Sequence, residues 1–154
     1  MKLLVVSVGA PERGPATALV EDYAARIRRF GIAVDLSWVK EVPPSGRFTD
    51  AHRLEREARA LVEALPRGAR TIALGPGPST TTSDQLARRL ERWAAPLAAF
   101  VVGGPSGLDP AFVRDAHATL SLSAMTLPHE LARVVLVEQL YRAVTILRGV
   151  PYHK

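Results

Sequence analysis

Between Pro128 and Arg148 runs a segment that a helix would present as apolar on nearly every side, and no other stretch constrains the fold as tightly. At about 3.6 residues per turn, Leu136, Leu140, Ala143, Val144 and Leu147 share one side, while Leu131, Val134, Val135 and Tyr141 cover much of the other. Such a helix demands cover nearly all round. Two i,i+4 pairs interrupt it: Glu138 with Arg142, and His129 with Arg133 near the N-terminal end. Ionisable groups among apolar neighbours need a partner or a purpose. The simplest reading of Glu138 and Arg142 is a structural ion pair.

With 154 residues the chain is long enough for one real core and too short for two ordinary domains, so residues 1–154 read as a single unit. It contains no cysteine, which excludes disulfides and thiolate metal sites and fits a reducing compartment. The start at Met1 lacks the length and small-residue cleavage site of a signal peptide, and no apolar run reaches ~18 residues. A soluble, cytoplasmic protein that stays off membranes is therefore expected. The formal charge of +5 favours an anionic partner such as nucleic acid, beside the plainer reading of surface solubility.

Lys2 to Val8 is a nearly continuous apolar run that stops at Gly9-Ala10-Pro11, as a strand buried on both faces does. From Pro15 to Phe30, Ala16, Leu19, Val20, Tyr23, Ala24 and Ile27 recur at helical spacing. Ile32 to Val42 reads as a second strand, diluted by Asp35, Ser37, Lys40 and Glu41 and hence at an edge. After the loop Pro43–Asp50, Leu54, Ala58, Leu61, Val62 and Leu65 form a helical stripe, and the alternating Arg and Glu beside it read as a solvated face. Arg70–Leu74 is a third strand. Thr82 and Gln85 have the spacing of a capping box for a helix to about Trp93. Leu97–Val102 is a fourth strand, Pro110–His117 a helix and Thr119–Leu122 a last strand before the long final helix. This alternation predicts an α/β fold with a five-strand, mostly parallel sheet flanked by helices. Ligands of such sheets sit at the carboxyl ends of the strands. Three loops rich in Gly, Pro, Ser or Thr follow Leu74, Val102 and Leu122, so a cleft built mainly from main chain is expected there.

The short motifs are weaker guides. Gly75-Pro76-Gly77-Pro78-Ser79 lacks the Gly-Lys-Ser/Thr of a nucleotide phosphate loop, and Gly103-Gly104-Pro105-Ser106-Gly107 misses the G-x-G-x-x-G spacing. The second is either a tight strand-to-helix turn or a ligand loop. Ser106 or Ser123 with His129 would pair a nucleophile with a base, but neither serine lies in a G-x-S-x-G elbow. His52, His117, His129 and His153 have no ligand spacing, so no metal is expected. Pro128 suits a helix start and Thr126 its cap.

Four blocks carry more when taken together: Val101-Val-Gly-Gly-Pro-Ser-Gly-Leu108, Ser121-Leu-Ser-Ala-Met-Thr-Leu-Pro-His129, Arg133-Val-Val-Leu-Val-Glu-Gln-Leu-Tyr-Arg-Ala143 and Pro151-Tyr-His-Lys154. They resemble the small bacterial enzymes that methylate a pseudouridine of large-subunit (23S) ribosomal RNA, members of the SPOUT methyltransferase superfamily. The Lys2–Gly9 start and the total length agree as well, so the resemblance spans nearly the whole chain. It implies a single SPOUT domain with a C-terminal deep trefoil knot, a rare exception to ordinary connection rules that periodicity does not reveal. It also implies a homodimer with the final helix at the interface, and S-adenosylmethionine held in the knot chiefly by backbone groups. Carried over by position, that pocket comprises Leu74, Gly103, Gly104 and the knot loop Leu122, Ser123, Ala124, Met125, Thr126 and Leu127. The chain departs from the family at Gly75, where an acidic residue is usual.

The implied reaction carries a methyl group to ring nitrogen N3 of a pseudouridine in the assembled ribosome. That nitrogen bears a weakly acidic imide proton, which must leave before or during attack. Arg142 and His129 are suited to stabilise charge on the flanking carbonyl oxygens, and His153 or Glu138 to take the proton. Tyr152 is suited to stack on a base, and Arg133 and Lys154 to contact phosphates. Residues 1–154 read as one domain with no separate RNA-binding unit, so the tail of one subunit is expected to complete the pocket of the other. The rivals are a non-catalytic ribosome-binding module on the same scaffold and a nucleotide-binding or hydrolytic α/β protein.

Overall fold

The computed structural model describes residues 1–77 and 80–154. In chain order its elements are β1 (Lys2–Val8), α1 (Pro15–Arg28), β2 (Ala33–Val39), α2 (Asp50–Ala64), β3 (Arg70–Leu74), α3 (Ser83–Trp93), β4 (Leu97–Val102), α4 (Pro110–Asp115), β5 (Ala118–Leu120) and α5 (His129–Leu147). The five strands form one sheet in the order β2-β1-β4-β3-β5, and every pairing is parallel. Parallel pairing requires a crossover after each strand, and the intervening helices supply it. All strand-to-helix loops consequently emerge at one edge.

Helices cover both faces. On one, Val20, Ala24 and Ile27 of α1, Leu86 and Leu90 of α3, and Leu136, Leu140 and Val144 of α5 pack on Leu3, Val5, Ile72 and Phe100. On the other, Leu61 of α2 and Phe112 of α4 pack on Leu4, Val6, Ala99 and Val101. The central strands β1 and β4 are buried on both faces, which is why they read as unbroken apolar runs. Phe100 is wholly buried, and burial of a side chain of that size stabilises by roughly 1.5–3 kcal/mol.

The expected elements are present with informative differences. β2 is an edge strand, as anticipated, but ends at Val39, whose carbonyl accepts from Gly9 N at 2.8 Å; Lys40–Val42 then leave the sheet. β5 ends at Leu120, whose carbonyl accepts from Gly75 N at 3.2 Å, so Leu122 belongs to the loop beyond. The capping box forms as its spacing predicts: Thr82 Oγ1 accepts from Gln85 N, and Gln85 Oε1 accepts from Thr82 N.

One expectation about side chains fails. The buried stripe of α2 is Arg53, Glu57 and Leu61, with Val62 exposed, because the two ions bond the backbone of Val42 below them. Within one chain, helix α5 is covered on part of its circumference. It packs on α1, α3 and β4, which leaves Leu131 51% exposed and Val134, Val135 and Tyr141 only partly buried. Among the described residues no helix is long and apolar enough to cross a membrane.

Candidate active site

At the carboxyl edge of the sheet the loops after β3, β4 and β5 enclose a cavity of about 750 Å³. Its wall is drawn from Leu74, Gly75 and Pro76, from Val102 to Gly107, and from Leu120 and Leu122 on to the first turn of α5. The size falls within the usual range for small-molecule and cofactor sites. Backbone makes much of this wall. Gly103 lies so close to the returning chain that a Cβ there would stand 2.6 Å from the carbonyl carbon of Gly107 and 2.7 Å from its oxygen. A side chain is excluded by main chain that cannot swing away. Gly107 holds φ at +81°, a left-handed conformation that suits glycine, and Gly104 and Gly107 form an isolated bridge that closes the turn.

The loop after β5 is tied to the loop after β3. Ser121 Oγ lies 3.1 Å from Gly77 O and 3.0 Å from Ser123 O, and Ser123 Oγ accepts from Met125 N at 2.9 Å. Pro78 and Ser79 of the Gly75–Thr81 loop lie outside the described residues. Of the residues expected to hold a cofactor, Leu74, Gly103, Gly104, Leu122, Ser123, Met125, Thr126 and Leu127 all line the cavity. Ala124 is exposed and does not. Thr126 does not cap α5; the N-cap is Pro128, with no side-chain capping bond. Sequence reasoning missed Leu120 and Ala132 as lining residues, the first at the end of a strand and the second inside a helix rather than in a loop.

The residues expected to act on the substrate fall into two groups. His129 opens α5 and lines the cavity. At ~1.5 Å per residue, Glu138 stands about 14 Å and Arg142 about 20 Å farther along the same helix. There Arg142 Nη2 and Nε donate to Glu138 Oε1 at 2.7 and 3.1 Å, and the Tyr152 hydroxyl donates to the same oxygen at 3.1 Å. The Arg142 guanidinium lies 4.6 Å from the centre of the Tyr152 ring, which meets Tyr141 edge-on at 4.8 Å. Hydrogen bonding to Glu138 raises the Arg142 pKa further, so this group stays charged. Burial first, then hydrogen bonds with Tyr23 and Glu138, push the Tyr152 phenol up and keep its proton on.

The tail is also fastened to α3. His153 Nε2 lies 3.6 Å from Asp84 Oδ2, while Ser83 Oγ donates to Gln139 Oε1 and Gln139 Nε2 to Glu138 Oε2, both at 2.7 Å. Lys154 is exposed beyond it.

Arg133 departs from its expected role. It is 6% exposed, its Nη1 reaches Ser7 Oγ on β1 at 3.3 Å, and its Nη2 reaches Glu130 Oε1 at 3.5 Å. Its Nε is buried without a partner. A guanidinium turned into the protein is not presented to a phosphate, and it joins α5 to β1 rather than to His129. The helical spacing that paired Arg133 with His129 could not show that Ser7 lies beneath it.

The family model described as "Predicted SPOUT methyltransferase" matches residues 1–153. Among curated proteins, the "Ribosomal RNA large subunit methyltransferase H" of Gemmatimonas aurantiaca is 44% identical, with all of both chains covered. Proteins of the same name from Anaeromyxobacter sp. (strain Fw109-5) and Paracidovorax citrulli are 45% and 42% identical; all of this chain is covered in both, with 100% and 99% of those proteins. With an α/β sheet, a backbone-lined cleft at its carboxyl edge and a match over almost every residue, the chain belongs to the SPOUT methyltransferase family.

Proposed function

We propose that this protein is an S-adenosylmethionine-dependent methyltransferase that modifies N3 of a pseudouridine in large-subunit (23S) ribosomal RNA, on the assembled ribosome. The observation that carries the reading is the cavity: three neighbouring loops offer main-chain groups and apolar side chains around a space of about 750 Å³. Leu74, Leu120, Leu122 and Leu127 suit the faces of an adenine, and the absence of a side chain at Gly103 lets the Gly103–Gly107 turn close tightly beside them. The residues thus fit the cofactor. Its threaded, knotted C-terminus is part of the same reading, supported by the family match and by α5 lying back across the sheet against α1, α3 and β4. So are the single-domain organisation of residues 1–154 and a cytoplasmic location.

S-adenosylmethionine, when bound, supplies a methyl group on a sulfonium that needs no further activation. The protein's task is to align the nucleophile, and to settle charge on the pseudouridine carbonyls as the imide proton leaves. His129 stands at the cavity for this purpose. Arg142, permanently charged, serves as a second donor, Tyr152 offers a ring and a retained phenol proton, and Glu138 or His153 accepts the proton. Lys154 contacts phosphate.

Glu138 and Arg142 stand too far along α5 to reach a base held at His129 of the same chain. They serve the cavity of a second copy in a homodimer, and the half-covered side of α5 around Leu131, Val134 and Val135 is the surface that a second copy would bury. Calorimetry with S-adenosylmethionine and transfer of labelled methyl to ribosomes, followed by nucleoside analysis, test the activity. Binding without transfer would favour the non-catalytic ribosome-binding module, and no binding at submillimolar concentration would overturn the methyltransferase reading. Mixed dimers test the assembly: one chain lacks the tail and the other cannot bind cofactor. Activity in such a mixture supports a shared site, and its absence refutes it.

A further inference from the structure

The loop from Lys40 to Thr49 joins β2 to α2 and leaves the sheet at the same edge as the cavity loops, because every strand runs parallel. Only β1 separates β2 from β4, so the root of this loop lies about 10 Å from the β4 loop, two strand spacings away. The loop adds no residue to either hydrophobic cluster apart from its boundary at Val39, and Phe48 is 39% exposed. Its root is nevertheless held by two ions almost wholly withdrawn from water. Arg53 and Glu57 are 7% and 5% exposed. Glu57 Oε1 accepts from Val42 N at 2.9 Å, Arg53 Nε donates to Val42 O at 3.0 Å, and Arg53 Nη1 meets Asp50 Oδ1 at 2.7 Å.

An ordinary surface connection satisfies its backbone with water, whereas burying two charged side chains is costly unless each is bonded. The clamp therefore fixes where the exposed tip of the loop stands. That tip carries Arg47 and Phe48, with Lys40 before the clamp and Arg56 after it. The Arg56 guanidinium lies 5.0 Å from the centre of the Phe48 ring. Nearby acids are engaged elsewhere: Asp50 with Arg53, Glu55 with Arg59 and Glu57 with Val42, leaving Glu41 beside Lys40. Among the described residues Lys40, Arg47 and Arg56 make no ion pair.

We infer that Lys40, Arg47 and Arg56 grip RNA phosphates and that Phe48 stacks on a neighbouring unpaired base, so that this loop holds the strand flanking the nucleotide to be methylated. The inference rests on the rRNA reading above. Phosphate contacts fix register without reading sequence, and an aromatic face accepts any base. A distance of about 10 Å, two strand spacings, is on the order of a few nucleotides of chain at most, so grip and cavity can share one short segment.

The test is equilibrium binding to assembled ribosomes that lack the methyl group, measured across salt concentrations, beside calorimetry with S-adenosylmethionine. The triple variant Lys40→Ala, Arg47→Ala, Arg56→Ala is expected to bind ribosomes at least about tenfold more weakly, with a salt slope shallower by about 2. Phe48→Ala is expected to weaken binding without changing that slope. The charge-retaining triple Lys40→Arg, Arg47→Lys, Arg56→Lys keeps near-normal binding, and all variants keep the cofactor affinity of the parent. A triple alanine variant that binds ribosomes with unchanged affinity and slope overturns the grip and leaves the methyltransferase reading standing. A parent protein that takes up the cofactor but does not bind ribosomes overturns both the grip and the rRNA substrate.

Discussion

The two ends of helix α5 are built on opposite principles. At its N-terminal end the cavity is a matter of main chain: Gly103 against Gly107, Gly75 N on Leu120 O, Ser121 on Gly77 O. At its C-terminal half the Glu138, Arg142 and Tyr152 cluster is a matter of side chains, held by charge and by ring stacking. A backbone site tolerates many sequences but no extra atoms, whereas a side-chain site tolerates crowding but not the loss of a charge. On the function proposed above, the difference corresponds to a division of labour in which one end binds a small-molecule methyl donor and the other meets a base.

Substitutions that respect one principle and violate the other sharpen the contrast. The largest effect is expected from Arg142→Met, which keeps much of the length and removes the donor. Methyl transfer should fall by roughly 10²–10³, the usual cost of deleting one charge-stabilising donor, while cofactor affinity by calorimetry stays unchanged. Equal loss of both would merge the two ends into one site and break the comparison. Next comes Gly103→Ala. The added methyl meets backbone, and overpacking of about 1–3 kcal/mol weakens cofactor binding roughly 5- to 150-fold, with the Glu138–Arg142 pair untouched. Normal calorimetric affinity in that variant would place the cofactor elsewhere.

What the sequence disclosed follows the same division. Strands β1 and β4 were legible to the residue, because nearly continuous apolar runs that stop at glycine are local signals. The three cavity loops were legible too, since a parallel sheet sends its loops to one edge and small residues mark where backbone can approach a ligand. Side-chain contacts between elements distant in the chain were not, although the local Thr82–Gln85 cap and Glu138–Arg142 pair were. Arg53 and Glu57 looked like members of a solvated charged face, and only the return of Val42 beneath α2, a contact distant in the chain, buries them. Arg133 was hidden for the same reason: its partner Ser7 lies on β1, at the other end of the sequence. The strand order β2-β1-β4-β3-β5 likewise depends on pairings that no local pattern encodes.

A smaller test bears on the loop that borders the cavity. Thr82→Ala removes the oxygen that accepts from Gln85 N and should cost about 1 kcal/mol of stability in denaturant unfolding. If the cap only anchors α3, cofactor affinity will not move. A parallel fall in affinity would instead make the α3 N-terminus part of the binding wall.

The smallest expected effect concerns a buried ion that neither end of α5 uses. Desolvation raises the Glu57 carboxyl above its ordinary range, and Glu41 adds to it, while the bond from Val42 N and the charge of Arg53 oppose the rise. The folded state then holds this proton more tightly than the unfolded chain does. Stability from that source is present below the unfolded pKa and is lost as pH rises through the folded one. Glu57→Gln keeps an acceptor for Val42 N and carries no titrating charge. Unfolding measured across the carboxylate range and just above it should show the parent losing stability with rising pH relative to the variant. Curves that run parallel would mean that the clamp on Val42 is solvated in the folded protein, and that the loop beyond it is held less firmly than the backbone of the cavity.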